Sequence, residues 1–176
     1  MGLAHSPRIV TDGLVFCVDA ANAKSYPGTG TDWVDLSGVG NNATLVNSPT
    51  FSTSPNKFTF NGTTQTATFS NPLGQATLDQ AWTVSAWINI SEKVSQSLIG
   101  GMNSGLYVCY SQGNNSLLYL NSGANDYYTY GGDLGVSDWV LATFRFYNAD
   151  GTRTIYNNTT NISTSGPNNT STPSGL

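Results

Sequence analysis

The segment WTVSAWINI, residues 82–90, constrains this chain more than any other. Trp82, Val84, Ala86, Ile88 and Ile90 fall in one phase of a two-residue period, while Thr83, Ser85 and Trp87 fall in the other. A strand places such an alternation on two opposite faces, whereas a helix would scatter the apolar side chains around its axis. One strand needs sheet neighbours, and the chain supplies them. GLVFCVDA (13–20), NKFTFNG (56–62), QTATF (65–69), QSLIGG (96–101), GLYVCYS (105–111), SLLYLNS (116–122), DYYTYGG (126–132), WVLATFRFY (139–147) and TRTIYNN (152–158) all read as short strands. Gly, Asn and Pro punctuate them, and NADG (148–151) reads as the hairpin loop between the last two. The expected fold class is all-β, an antiparallel β-sandwich or jelly roll. No repeat of blade length favours a propeller. Trp82, Trp87 and Trp139 lie in strong strand segments and are expected in the core.

Composition points the same way. Charged residues make up 9% of the chain, against roughly 25% in average soluble domains. The surface must then be built of Asn, Ser, Thr and Gly, which disfavour helix interiors and suit turns. Net charge is −4 with no basic cluster, which argues against nucleic acid as a partner. No apolar run approaches the length of about 18 residues that a membrane-spanning helix needs. The start, MGLAHSPRIV, lacks the apolar centre of a signal peptide. Cys17 and Cys109 sit in apolar stretches and are expected as buried free thiols rather than a bridge. From about Asn157 the composition turns polar. The expected organisation is one β-sandwich over 1–158, followed by an extended Ser/Thr/Asn/Pro-rich tail over 159–176.

The stretch IVTDGLVFCVDAANAKSYPGTGTDWVDLSGVGNNATLVNSPTF (9–51) carries a further signal. It combines a "DA" ending, an SYPG turn, a W-x-D-L-S-G-x-G-N-N loop and a P-T-F segment. FTFNG (58–62), WTVSAWINI, SLIGG (97–101), GLYV (105–108) and DWVLATFRFYNADGTRTIYNN (138–158) follow in order. Together they resemble the concanavalin A-like lectin/glucanase domains of laminin-G-like type, over roughly residues 9–158. The wording looks most like the copies found on bacteriophage virion proteins. Two departures stand out. Thr63 and Thr64 follow FTFNG where the family usually has acidic residues, and the closing I-Y-N-R-x-L type strand has no match. Without that strand, GLVFCVDA would be an open sheet edge, expected to be covered by the polar tail or a neighbouring chain.

The resemblance implies a lectin-like fold, and the residues decide what it could do. A retaining glycosidase needs two carboxylates about 5–5.5 Å apart. Glu92 is the only glutamate, no paired acid motif appears, and His5 is the only histidine. No catalytic residues are expected, and no metal ligands of zinc type. Calcium is the one cofactor the rim aspartates could hold, through Asp32, Asp35, Asp126 and Asp133; the preferred reading is that they cap turns. Gly38 and Gly40 are expected at positive φ, with Asn41 and Asn42 tolerating the same region.

A carbohydrate or subunit contact is expected at Asn125, Asp126, Tyr127, Tyr128 and Tyr130, and at Trp33. There, aromatic faces stand beside amide and carboxylate groups. The expected function is a non-enzymatic virion surface protein, a capsid decoration or fibre module. It would contact other virion proteins, assemble as a homo-oligomer and take host glycans as a further ligand. The alternative is a secreted bacterial carbohydrate-binding module.

Overall fold

The computed structural model describes residues 10–69, 81–92, 94, 96–100, 107–111, 116–121, 126–129, 138–146 and 153–163. The chain divides into two compact units, Met1–Leu73 and Gly74–Leu176. The described residues are all-β, with antiparallel sheets and no helix.

The first unit holds β1 (Asp32–Trp33), β2 (Ala43–Val46), β3 (Thr50–Thr53), β4 (Asn56–Thr59) and β5 (Thr66–Phe69). One sheet has the order β1–β2–β5, and β3 pairs with β4 separately. β2 alternates as a half-buried strand should: Ala43 and Leu45 are buried while Thr44 is exposed. The β3–β4 register sets Phe51 opposite Phe58. Tyr26 meets both rings edge-on, at 4.9 Å and 4.8 Å between centroids, and so closes an aromatic cluster.

The expected strand at 13–20 is not one. Its alternate residues do bond, but to a loop rather than to a ladder. Cys17 N–H donates to Asp35 Oδ1 at 2.8 Å, Leu36 N–H donates to the Cys17 carbonyl at 2.7 Å, and Asn41 Nδ2 donates to the Val15 carbonyl at 2.8 Å. A carboxylate and an amide thus stand where the peptide groups of a partner strand would. The Phe16 ring stacks on Phe69 at 4.6 Å.

The second unit holds β6 (Trp82–Ile88), β7 (Gln96–Gly100), β8 (Tyr107–Ser111), β9 (Ser116–Asn121), β10 (Asp126–Thr129), β11 (Val140–Phe146), β12 (Arg153–Asn157) and β13 (Thr160–Asn161). β7 to β10 form a meander in chain order, with a register shift between Ser97 and Ile99. The second sheet has the order β13–β12–β11–β6. Its register aligns Val84 with Phe144 and Ile155, Ala86 with Ala142, and Ile88 with Val140. Val140, Ala142, Phe144 and Ile155 are all buried, so this face carries the unit's apolar core. Burying each large side chain contributes about 2 kcal/mol.

Past residue 158 the chain pairs again with β12 through β13. Asn158, at φ 54°, turns it back; its N–H donates to the Leu141 carbonyl, and its Oδ1 accepts from Leu141 N–H at 3.0 Å. Ser163 Oγ then accepts from Ile155 N–H at 2.8 Å. Residues 164–176 and the NADG loop lie outside the described residues.

Candidate functional site

Asp35 is the most heavily bonded side chain described. Its Oδ1 accepts from the N–H groups of Cys17 and Ser37, at 2.8 Å and 2.9 Å. Its Oδ2 accepts from Ser37 Oγ at 2.6 Å and from the N–H groups of Gly40 and Asn41 at 3.1 Å and 3.0 Å. Burial would raise its carboxyl group. The Ser37 hydroxyl and the N–H groups of Ser37, Cys17 and Asn41 outweigh that and hold it at about 2. Gly38 and Gly40, at φ 90° and 91°, bend the loop so that its N–H groups converge on the carboxylate. Asn41 and Asn42 act differently from the expectation. Neither is among the positive-φ residues; they work through side chains, Asn41 on Val15 and Asn42 Oδ1 as acceptor for Asp35 N–H at 2.9 Å. With both oxygens bonded by protein donors, Asp35 closes the turn.

The neighbouring SYPG turn is built on the same plan. Ser25 is fully buried; its hydroxyl donates to the Val34 carbonyl at 2.6 Å and accepts from Asp19 N–H at 3.0 Å. Ser25 and Val34 also bond through backbone, at 2.8 Å. Trp33, expected as a contact residue, is half-buried on β1 with its ring 4.7 Å from that of Phe58. Its Nε1 is buried and has no hydrogen-bond partner. Asp32, beside it, is exposed. Cys17 is a free, half-buried thiol, pushed up by burial and then by the charges of Asp19 and Asp35.

The expected tyrosine site lies on β10, which ends its sheet and pairs with β9. The register sets Asp126 opposite Asn121, Tyr127 opposite Leu120 and Tyr128 opposite Tyr119. Asn125, Tyr130 and Asp133 lie outside the described residues. Trp33 belongs to the first unit and the tyrosines to the second.

A different aromatic stands out. Trp87 is 62% exposed and Trp139 40% exposed, which corrects their expected place in the core. The reason is phase. Val84, Ala86 and Ile88 share the buried side of β6, so Trp87 must face the other way. The same outward face carries Ser85, whose hydroxyl bonds that of Thr143 at 2.9 Å. Leu141 stands opposite Trp87, and Tyr156 stands opposite Thr143 on the next strand. The alternation of WTVSAWINI already separates Trp87 from its apolar neighbours, and that phase is the signal for its exposure.

Among the described residues, no group of three His, Cys, Asp or Glu is placed to hold a metal, and no helix is long and apolar enough to cross a membrane. No family model, curated protein or solved structure matches the chain.

Proposed function

We propose that this chain is a non-enzymatic surface protein of a bacteriophage virion, a capsid decoration or fibre module with a concanavalin A-like, laminin-G-like jelly roll. In this reading it contacts other virion subunits, and its outer sheet face is free to meet host glycans. The observation that carries a binding role is Trp87, a large ring left 62% exposed on a sheet face that also presents Leu141, Ser85, Thr143 and Tyr156. The bonds of Ser25 and Asp35 support the fold assignment. They give structural work to the SYPG and D-L-S-G-x-G-N-N residues that carry the resemblance. A non-catalytic role fits the single glutamate and an Asp35 whose oxygens are already bonded.

Purified particles test the reading. The chain is expected in particles recovered from a density gradient, in stoichiometric amount, with antibody label on their outer surface. Recovery from culture medium as a free monomer favours the second reading, a secreted carbohydrate-binding module, which the exposed Trp87 would serve equally well.

A further inference from the structure

We propose that Asn61 is a site of spontaneous modification, deamidating through a cyclic imide with Gly62, and that the loop bonded around its carboxamide and latched by Gln65 keeps the reaction slow in the folded protein. Asn61-Gly62 is the one Asn–Gly dipeptide in the sequence. It lies between β4 and β5, and both residues are exposed. Asparagine is a chemically labile side chain, and a following glycine offers its amide nitrogen with no Cβ to block it. A Cβ built on Gly62, which sits at φ 71°, would meet nothing within 4 Å, so packing does not shield the nitrogen. Hydrogen bonds are what restrains the pair.

The step is intramolecular. The Gly62 nitrogen gives its proton to hydroxide and attacks Asn61 Cγ; a C–N bond forms, the bond from Cγ to Nδ2 breaks, and ammonia leaves with a proton taken from water. Water then opens the imide at either carbonyl and leaves aspartate or isoaspartate, with one negative charge gained. Attack comes through the face of the carboxamide, so the amide must turn about its side-chain torsions. In the folded loop it is tied at both ends. Oδ1 accepts from the N–H groups of Thr63, Thr64 and Gln65 at 3.0, 3.0 and 3.1 Å, and Nδ2 donates to Thr64 Oγ1 at 3.0 Å. Gln65 locks the loop in turn. Its Oε1 accepts from Asn61 N–H at 2.9 Å, and its Nε2 donates to the carbonyls of Asn47 and Ser48 at 3.1 and 2.9 Å. Asn47 Nδ2 adds a bond to the Thr64 carbonyl at 2.6 Å. Residues 61–65 are thus stitched to the corner at 47–48, and cyclisation waits on a local opening of the loop. This chemistry needs no partner and does not depend on what the molecule binds.

Peptide mass spectrometry of the full chain, aged in mildly alkaline buffer with and without concentrated guanidinium chloride, tests this. In denaturant, Asn61 is expected to convert ahead of every other asparagine. In the folded chain it should convert about tenfold more slowly than in denaturant. Folded Gln65→Ala and Thr64→Val should each convert several-fold faster than the folded parent, yet match the parent in denaturant, because neither touches the reacting atoms. Denaturant midpoints near the parent's show that a variant is folded. The two remove different bonds, so one that fails to fold leaves the other to decide. Three results overturn the proposal: another asparagine converting first in denaturant, Asn61 converting as fast folded as unfolded, or folded variants converting no faster than the folded parent.

Discussion

The loop around Asp35 and the sheet around Phe144 are ordered by different forces. In the loop, one carboxylate gathers five donors from four residues, and its neighbours Ser25, Asn41 and Asn42 each bridge backbone segments. In the sheet, Val140, Ala142, Phe144 and Ile155 are held by burial and a regular ladder. Directional bonds can specify an irregular backbone that no ladder would stabilise. Apolar burial specifies only which face is inside. A chain with 9% charged residues thus uses neutral polar groups for geometry and apolar ones for cohesion.

Substitutions can break or sharpen that contrast. The largest effect is expected from Phe144→Ala, which should cost about 3–5 kcal/mol through lost burial and a cavity, read from urea unfolding. Asp35→Ala should cost about 3 kcal/mol, because four backbone N–H groups lose their acceptor at once. Hydrogen exchange sharpens the point. Asp35→Ala should speed exchange at Cys17, Gly40 and Asn41 while Ala142 and Phe144 keep their protection. Equal acceleration in both places would erase the distinction between the two regions.

The same carboxylate predicts a pH dependence. Its folded value, about 2, lies below the ordinary 3.8, so its contribution is complete above 3.8 and is lost as pH falls toward 2. Urea midpoints of the parent should drop over that window more steeply than those of Asp35→Asn. Parallel curves would show that the loop does not depend on the charge.

A smaller cost, about 1 kcal/mol, is expected for Asn61→Ala. Its Oδ1 caps the N–H groups of Thr63, Thr64 and Gln65, but the loop is exposed and water can replace it. The smallest change in stability belongs to Trp87→Ala, within about 0.5 kcal/mol by thermal melting. A large loss there would mean that the ring is a structural member of the sheet.

Much of this is legible in the sequence. Alternation in β4, β5 and β6, and short apolar runs between turn residues for β7 to β12, located these strands within a few residues, because both are local properties. Gly38 and Gly40 were readable as positive-φ positions, since glycine alone adopts that region without a Cβ penalty. The segment at 13–20 misled because it is apolar, and an apolar run does not reveal what its peptide groups bond to. The strands β1, β3 and β13 are two to four residues long, too short to carry a pattern. The exposed Trp87 lies in a strand whose other face is apolar, so its segment reads as core although its own phase does not.

By itself, then, the sequence determined the all-β class, the phase of its strands and the turn chemistry, all of which depend on neighbours a few residues apart. Only the tertiary structure decided that Asp35 joins residues 17 and 41 through one carboxylate, and that Trp87 stands in solvent beside the Ser85–Thr143 pair. Those facts depend on which strands pair and in what register. Register is set by long-range packing, of which each segment carries only half.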